Sequence, residues 1–187
     1  SGFTGTAGST YVLRWTISNG VCTASSSTVS IQLDQAPTVS VAGPNQNVCG
    51  TGVTLAANPA VIGTGAWSIV SGGAGSFSAV NSPTSTFTGT AGSTYVLQWT
   101  ISNGVCTPSA STVTIKLDAA PTASVAGTNQ VVCGTFTNLT ANAPIIGTGA
   151  WSIVSGGAGT FSDAASPTSG FTGTAGSTYV LRLSLIH

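Results

Sequence analysis

The sequence predicts an all-β fold: a tandem array of β-sandwich domains, each about 84 residues long. Three observations carry this. Long segments recur at a constant offset of 84 residues, apolar side chains alternate with polar ones along short runs, and Gly or Pro punctuates the runs. Phe3-Thr-Gly-Thr-Ala-Gly-Ser-Thr-Tyr-Val-Leu13 returns from Phe87 to Leu97 and again from Phe171 to Leu181 (87 − 3 and 171 − 87 both give 84). Pro37 returns as Pro121, Cys49 as Cys133 and Trp67 as Trp151. A unit of this length is too long for a solenoid repeat and suits a small self-contained domain.

Along one unit, Val53 and Leu55 mark a first strand, Trp67 and Ile69 a second, and the stretch around Phe87 another. The clearest strand follows. Tyr95, Leu97, Trp99 and Ile101 point one way, while Val96, Gln98, Thr100 and Ser102 point the other, the pattern of a half-buried strand. Asn103-Gly104 then supplies a dipeptide that accepts the positive φ angles of a tight turn. The return strand, Ser111 to Leu117, sends Val113, Ile115 and Leu117 inward. No stretch carries a helical stripe. The expected core is Trp15, Trp67, Trp99 and Trp151 with Tyr95, Leu97 and Ile101.

Boundaries follow from the linkers Leu33-Asp-Gln-Ala-Pro37 and Leu117-Asp-Ala-Ala-Pro121, because proline ends strand pairing. Residues 1–36 are expected to be the last strands of one repeat, 37–120 a complete repeat, and 121–187 an incomplete third.

Composition narrows function. Charged residues are 3% of the chain, against roughly 25% in ordinary soluble domains. Arg14, Lys116 and Arg182 are too few and scattered to form a nucleic-acid-binding stripe. No apolar run is long enough to span a membrane. A surface with so little charge has little repulsion to keep copies apart, which suits lateral packing into a fibre.

The residues also exclude most site chemistry. The one histidine, His187, is at the extreme end, so a hydroxyl nucleophile has no base, and no enzyme activity is expected. Asp34, Asp118 and Asp163 stand apart, whereas calcium takes about 6–8 oxygens, so neither metal nor cofactor is expected. Asp34 and Asp118 read as strand-ending turn residues. Thr86, Thr88 and Thr90 form only a short threonine ladder, and Asn138-Leu-Thr140 matches a glycosylation acceptor.

Four cysteines fall at two per repeat, Cys22 with Cys106 and Cys49 with Cys133, which reads as a disulfide framework of a secreted protein. A Cys49–Cys106 bridge within one repeat would close 57 residues, and Cys22–Cys49 or Cys106–Cys133 would close 27. Chain entropy gives about 4.2 and about 3.6 kcal/mol, too close to choose. The in-domain pair seals each repeat independently and is preferred, with bridges between successive repeats or between chains as the alternatives.

Val41-Ala-Gly-Pro-Asn-Gln-Asn-Val-Cys49, Gly65-Ala-Trp-Ser-Ile-Val-Ser-Gly72, Ser82-Pro-Thr-Ser85 and Tyr95-Val-Leu-Gln-Trp-Thr-Ile-Ser-Asn-Gly-Val-Cys106 together resemble a known repeat class. It is the immunoglobulin-like, PKD-like tandem repeat of large secreted surface proteins of Bacteroidota-type bacteria. Trp67-Ser-Ile-Val-Ser-Gly72 stands where the PKD signature Trp-Asp-Phe-Gly-Asp-Gly would be. The resemblance implies immunoglobulin-like sandwiches at the cell surface, in an adhesin stalk or filament. Expected partners are neighbouring repeats or further copies, with a glycan- or surface-binding module as the alternative. The class shares no catalytic residues. The terminal Leu183-Ser-Leu-Ile-His187 leaves the repeat pattern and is similar to a translated sequencing adapter, so it is expected to be an artefact.

Overall fold

The computed structural model describes residues 1–186, and His187 lies outside them. Among the described residues the chain is all-β, with no helix long and apolar enough to cross a membrane. It forms two compact units, Ser1–Asp118 and Ala119 onward.

The first unit holds a hairpin and a complete sandwich. The hairpin pairs β1 (Ser9–Ile17) with β2 (Ser25–Leu33) in an unbroken antiparallel register from Ser9↔Leu33 to Ile17↔Ser25. The sandwich is immunoglobulin-like, two sheets closing one core. One sheet has the order β3 (Gln46–Cys49), β9 (Ser109–Asp118), β8 (Ser93–Ser102), β5 (Thr64–Ser71). The other has the order β4 (Gly52–Thr54), β7 (Thr86–Thr88), β6 (Ser76–Phe77). β3 runs parallel to β9, from Gln46↔Ile115 to Cys49↔Asp118, and the remaining pairs are antiparallel.

Alternation dictates what is enclosed. Tyr95, Leu97, Trp99 and Ile101 of β8 are buried, as are Val113, Ile115 and Leu117 of β9, all on the face toward Leu55 and Phe87 of the opposite layer. Trp67 lies opposite Trp99 in the β5–β8 register, with ring centroids 5.2 Å apart. Each indole finds an acceptor, Trp67 Nε1 donating to Ser82 O (3.0 Å) and Trp99 Nε1 to Asn58 O (3.1 Å), as buried polar atoms must. The Tyr95 hydroxyl accepts from Thr90 N–H (2.8 Å) and donates to Ala74 O (3.0 Å). The Thr90 backbone N–H, aided by its side chain, draws the phenol below its ordinary pKa against the opposing effect of burial. Gly65 is required by close approach: a Cβ there would overlap the Trp99 indole.

The second unit repeats this plan in part. β11 (Thr148–Ser155) pairs with β14 (Val180–Ile186), and β10 (Phe136–Asn138), β13 (Gly170–Thr172) and β12 (Thr160–Phe161) form the facing sheet. Leu139, Trp151, Phe171 and Leu183 are its buried centre. The terminal residues that leave the repeat pattern continue β14, with Leu183 opposite Trp151 as Trp99 is opposite Trp67.

One core expectation fails. Trp15 is exposed, because among the described residues no sheet faces the β1–β2 hairpin.

Candidate functional site

The sequence offers no catalytic or metal constellation, and among the described residues no three His, Cys, Asp or Glu side chains come together. The arrangement with most structure outside the core is the joint where β2 hands over to the complete repeat.

Its parts come from two places in the chain. β2 ends at Leu33, and Asp34-Gln-Ala-Pro37 follows as an extended linker that proline keeps from pairing further. From the complete repeat comes the first part of the β8–β9 connection, Asn103-Gly104-Val105-Cys106, closed by Cys106 N–H donating to Asn103 O (3.1 Å). Gly104 takes φ +52°, which glycine adopts at no steric cost.

The two parts interlock. The Val105 N–H donates to Asp34 Oδ2 (3.2 Å), and the Asn103 side-chain amide donates to Gln35 O (2.7 Å). The other carboxylate oxygen of Asp34 accepts from Gln32 Nε2 (2.6 Å), which aims the group at the turn. A Cβ on Gly104 would overlap the Asp34 carboxylate, so glycine here serves both the turn and the closeness of the contact. A carboxylate accepting an amide N–H is among the stronger hydrogen bonds a surface can make.

Beyond the linker, the chain is stitched down at once. The Thr38 hydroxyl accepts from Val61 and Ile62 N–H (3.0 and 2.8 Å). Asn58 accepts from Val41 N–H (2.7 Å) and donates to Val39 O (2.9 Å). Thr122 and Asn142 make the same bonds in the second unit. The linker is therefore short and anchored at both ends rather than free to swing.

Asp118 occupies the corresponding place as the last residue of β9 and is held by Lys116 (2.9 Å), as Asp34 is by Gln32. Each linker carboxylate thus has its own aiming residue two positions earlier. The sequence reading of Asp34 as a turn residue missed its partner, which lies 71 residues away. The usable signal was joint recurrence: Leu-Asp before the linker proline and Asn-Gly-Val-Cys both return at the 84-residue offset.

The cysteines are placed with respect to this joint. All four are free thiols in the structure. The expected Cys49–Cys106 bridge is not made, and the topology forbids it. Cys49 lies opposite Asp118 at the end of β9, while Cys106 precedes the start of that strand. Ten strand residues at about 3.3 Å each separate them by about 30 Å, against a Cα separation of less than about 7 Å for a disulfide.

Trp67, Trp99, Trp151, Tyr95, Leu97 and Ile101 are in the core and are not offered to a ligand. No family model matches the sequence, and no curated protein matches it. Among solved structures, the chain is similar to "Protocadherin gammaB7 EC3-6 cis-dimer structure", with 15% identity and a TM-score of 0.37. The match covers 95% of this chain and 59% of that one. The two share too little sequence and superpose too loosely for any residue to be carried across.

Proposed function

We propose that the chain is a piece of an extracellular structural protein, non-enzymatic, in which stiff sandwich repeats are set end to end to form or space a surface fibre or adhesin stalk. The observation that carries this is the joint: Asp34 on the Val105 N–H and Asn103 on the Gln35 carbonyl hold one repeat's last strand against the next repeat's turn. With strands of eight to ten residues and a linker between repeats, each repeat would add about 30–40 Å. A near-chargeless surface lets such rods pack side by side. A bacterial cell surface is the setting that the sequence resemblance supports.

A glycan-binding module is the weaker reading. Sugar recognition by stacking needs an exposed aromatic platform, whereas the complete repeat encloses both its tryptophans.

The cysteines fit the same picture. Cys49 stands beside Asp118 at the foot of the complete repeat, and Cys106 follows the turn at its head. In an array, every joint would bring a foot cysteine of one repeat to a head cysteine of the next, and we assign the disulfide to that pair.

Electron microscopy of the natural material tests the proposal. Rods or fibres with an axial period of about 30–40 Å are expected from the strand and linker lengths together. Dispersed compact particles at high concentration would count against it.

A further inference from the structure

One strand of the smaller sheet changes its outer face between the two units. Gly52-Val-Thr-Leu-Ala56 of the complete repeat becomes Phe136-Thr-Asn-Leu-Thr140 in the second unit. Leu55 and Leu139 are buried in their respective cores, so positions 136, 138 and 140 alternate onto the opposite, outer face. Phe136, Asn138 and Thr140 are all exposed there. Gly52, Thr54 and Ala56 are exposed as well, so this face is open to solvent in both units. The substitutions set an aromatic ring, an amide and a hydroxyl in a row where the complete repeat has nothing larger than threonine.

A further change lies beside them. Thr86 of β7 becomes Gly170 of β13. Asn138 is directly opposite Gly170 and Phe136 opposite Thr172, so the Phe136 ring reaches Gly170 along the diagonal. Its Cε2 and Cζ atoms are 2.7 and 3.0 Å from where a Cβ on Gly170 would be, so only glycine leaves the ring room. Gly170 is buried under the ring, whereas Thr86 is exposed. Covering a strand glycine accounts for the part of the ring over Gly170. It does not account for the rest, since Phe136 is still 54% exposed. Around the ring stand Asn138 on the same strand, Thr172 opposite, and Thr160 opposite Thr172, all exposed and none charged. The backbone of Asn138 is held by Gln130 Nε2 donating to its carbonyl (3.0 Å), while its side-chain amide has no partner among the described residues.

We infer that Phe136 is a platform for a neutral pyranose ring, with the Asn138 amide as the polar group that meets or carries the sugar. The face of an aromatic ring is negative and attracts the C–H groups that an all-equatorial sugar presents on its flat side. The amide and the threonine hydroxyls match the sugar's own hydroxyls, and with no charge among them an acidic sugar gains nothing over a neutral one. Two sources supply that chemistry. One is a separate glycan lying across β10 and β13. The other is a glycan attached to Asn138, because Asn138-Leu-Thr140 is an acceptor sequence and is exposed, as attachment requires. In attachment, Asn138 Nδ2 gives up a proton and bonds the sugar's anomeric carbon, while that carbon's bond to the phosphate of a phosphate-activated sugar donor breaks. Two strand residues span about 6.6 Å, so a sugar on Asn138 can fold back onto Phe136. The complete repeat, with Gly52, Thr54 and Ala56, offers neither platform nor acceptor.

The fibre reading needs no ligand and uses none of these residues, so the two stand or fall separately. Peptide mass mapping of the natural material, and nuclear magnetic resonance titration of the unmodified full chain with a β-1,4-linked glucose hexamer, distinguish the sources. An attached glycan adds whole sugar masses to the peptide holding Asn138. A separate glycan shifts the amide signals of β10 and β13 at millimolar hexamer and leaves those of β4 and β7 in place. From either source, the sugar's ring protons should move upfield in the ring current of Phe136. Phe136→Leu keeps an apolar cover on Gly170 and should abolish that shift. Gly52→Phe with Thr54→Asn, Ala56→Thr and Thr86→Gly should build a second platform in the complete repeat and double the sugar bound. Space permits it, since a Cβ on Gly52 meets only the Phe87 carbonyl, at 3.8 Å. An unmodified Asn138 together with no response to the hexamer would overturn the inference, as would a sugar whose protons are unshifted or whose shifts survive Phe136→Leu.

Discussion

β1 and β8 are nearly the same strand in two surroundings. Ser9-Thr-Tyr-Val-Leu-Arg-Trp-Thr-Ile17 and Ser93-Thr-Tyr-Val-Leu-Gln-Trp-Thr-Ile101 differ at one residue. Both pair with a similar return strand in the same register. Yet Trp99 is enclosed and Trp15 stands in solvent. Hairpin formation is therefore written into the local sequence by alternation and the Asn-Gly turn, whereas burial belongs to whatever packs across the sheet. Ladder bonds are present in both regions, and β8 adds much the larger hydrophobic term, since Tyr11 and Leu13 of β1 are only half-buried.

The largest effect that this contrast implies comes from removing the two tryptophans in turn. Trp99→Ala should cost the complete repeat about 3–5 kcal/mol in urea unfolding, the range for truncating a buried aromatic. Trp15→Ala should change that transition by less than about 0.5 kcal/mol, as exposed substitutions do. Equal losses at the two positions would break the comparison.

The tryptophan seat gives the next effect. Gly65→Ala drives a methyl into the Trp99 indole and should destabilise the complete repeat by about 1–3 kcal/mol, the cost of overpacking. Gly149→Ala meets only leucine methyls that can shift, so its effect on the second unit's thermal transition should be smaller.

At the joint the expected change is local. Asp34→Ala removes the acceptor of the Val105 N–H at a partly exposed site, worth about 0.5–1.5 kcal/mol. It should appear as faster amide exchange at Val105, with the β8 amides unchanged. Gly104→Ala should loosen the same contact, since its methyl would occupy the place of the carboxylate.

The smallest effect is expected opposite Trp99. The Ser111 hydroxyl is buried without a hydrogen-bond partner in the structure. Ser111→Ala removes that unmet group and should leave the unfolding midpoint unchanged or raise it slightly. A clear loss of stability would mean that the hydroxyl has a partner after all.

Much of the fold was legible before any coordinates. Period-two alternation placed β8 and β9, and the fixed offset made each element visible again in the next copy; the tight Asn-Gly turn did not hold, since the connection runs from Asn103 to Pro108 and only Gly104 takes a positive φ. β6, a two-residue strand, and the parallel β3–β9 pairing were not legible, because neither has enough residues to show a period. Trp15 was misread because pattern reports which face is apolar and not whether anything covers it. Cys49 and Cys106 were joined on the sealing of each repeat, while strand direction, which sets them at opposite ends of β9, decided against it. The joint was half legible: Asp34 and Asn103-Gly104 each stood out, but their meeting depends on how the hairpin abuts the complete repeat.

The central claim is that the joint fixes one repeat's strands against the next. Residual dipolar couplings on the full chain measure this directly. Backbone amides of the β1–β2 hairpin and of β8–β9 should fit a single alignment tensor, and Asp34→Ala combined with Asn103→Ala should split it in two. Separate tensors in the unaltered chain, with weaker order in the hairpin, would show a free hinge at Asp34 and contradict the claim.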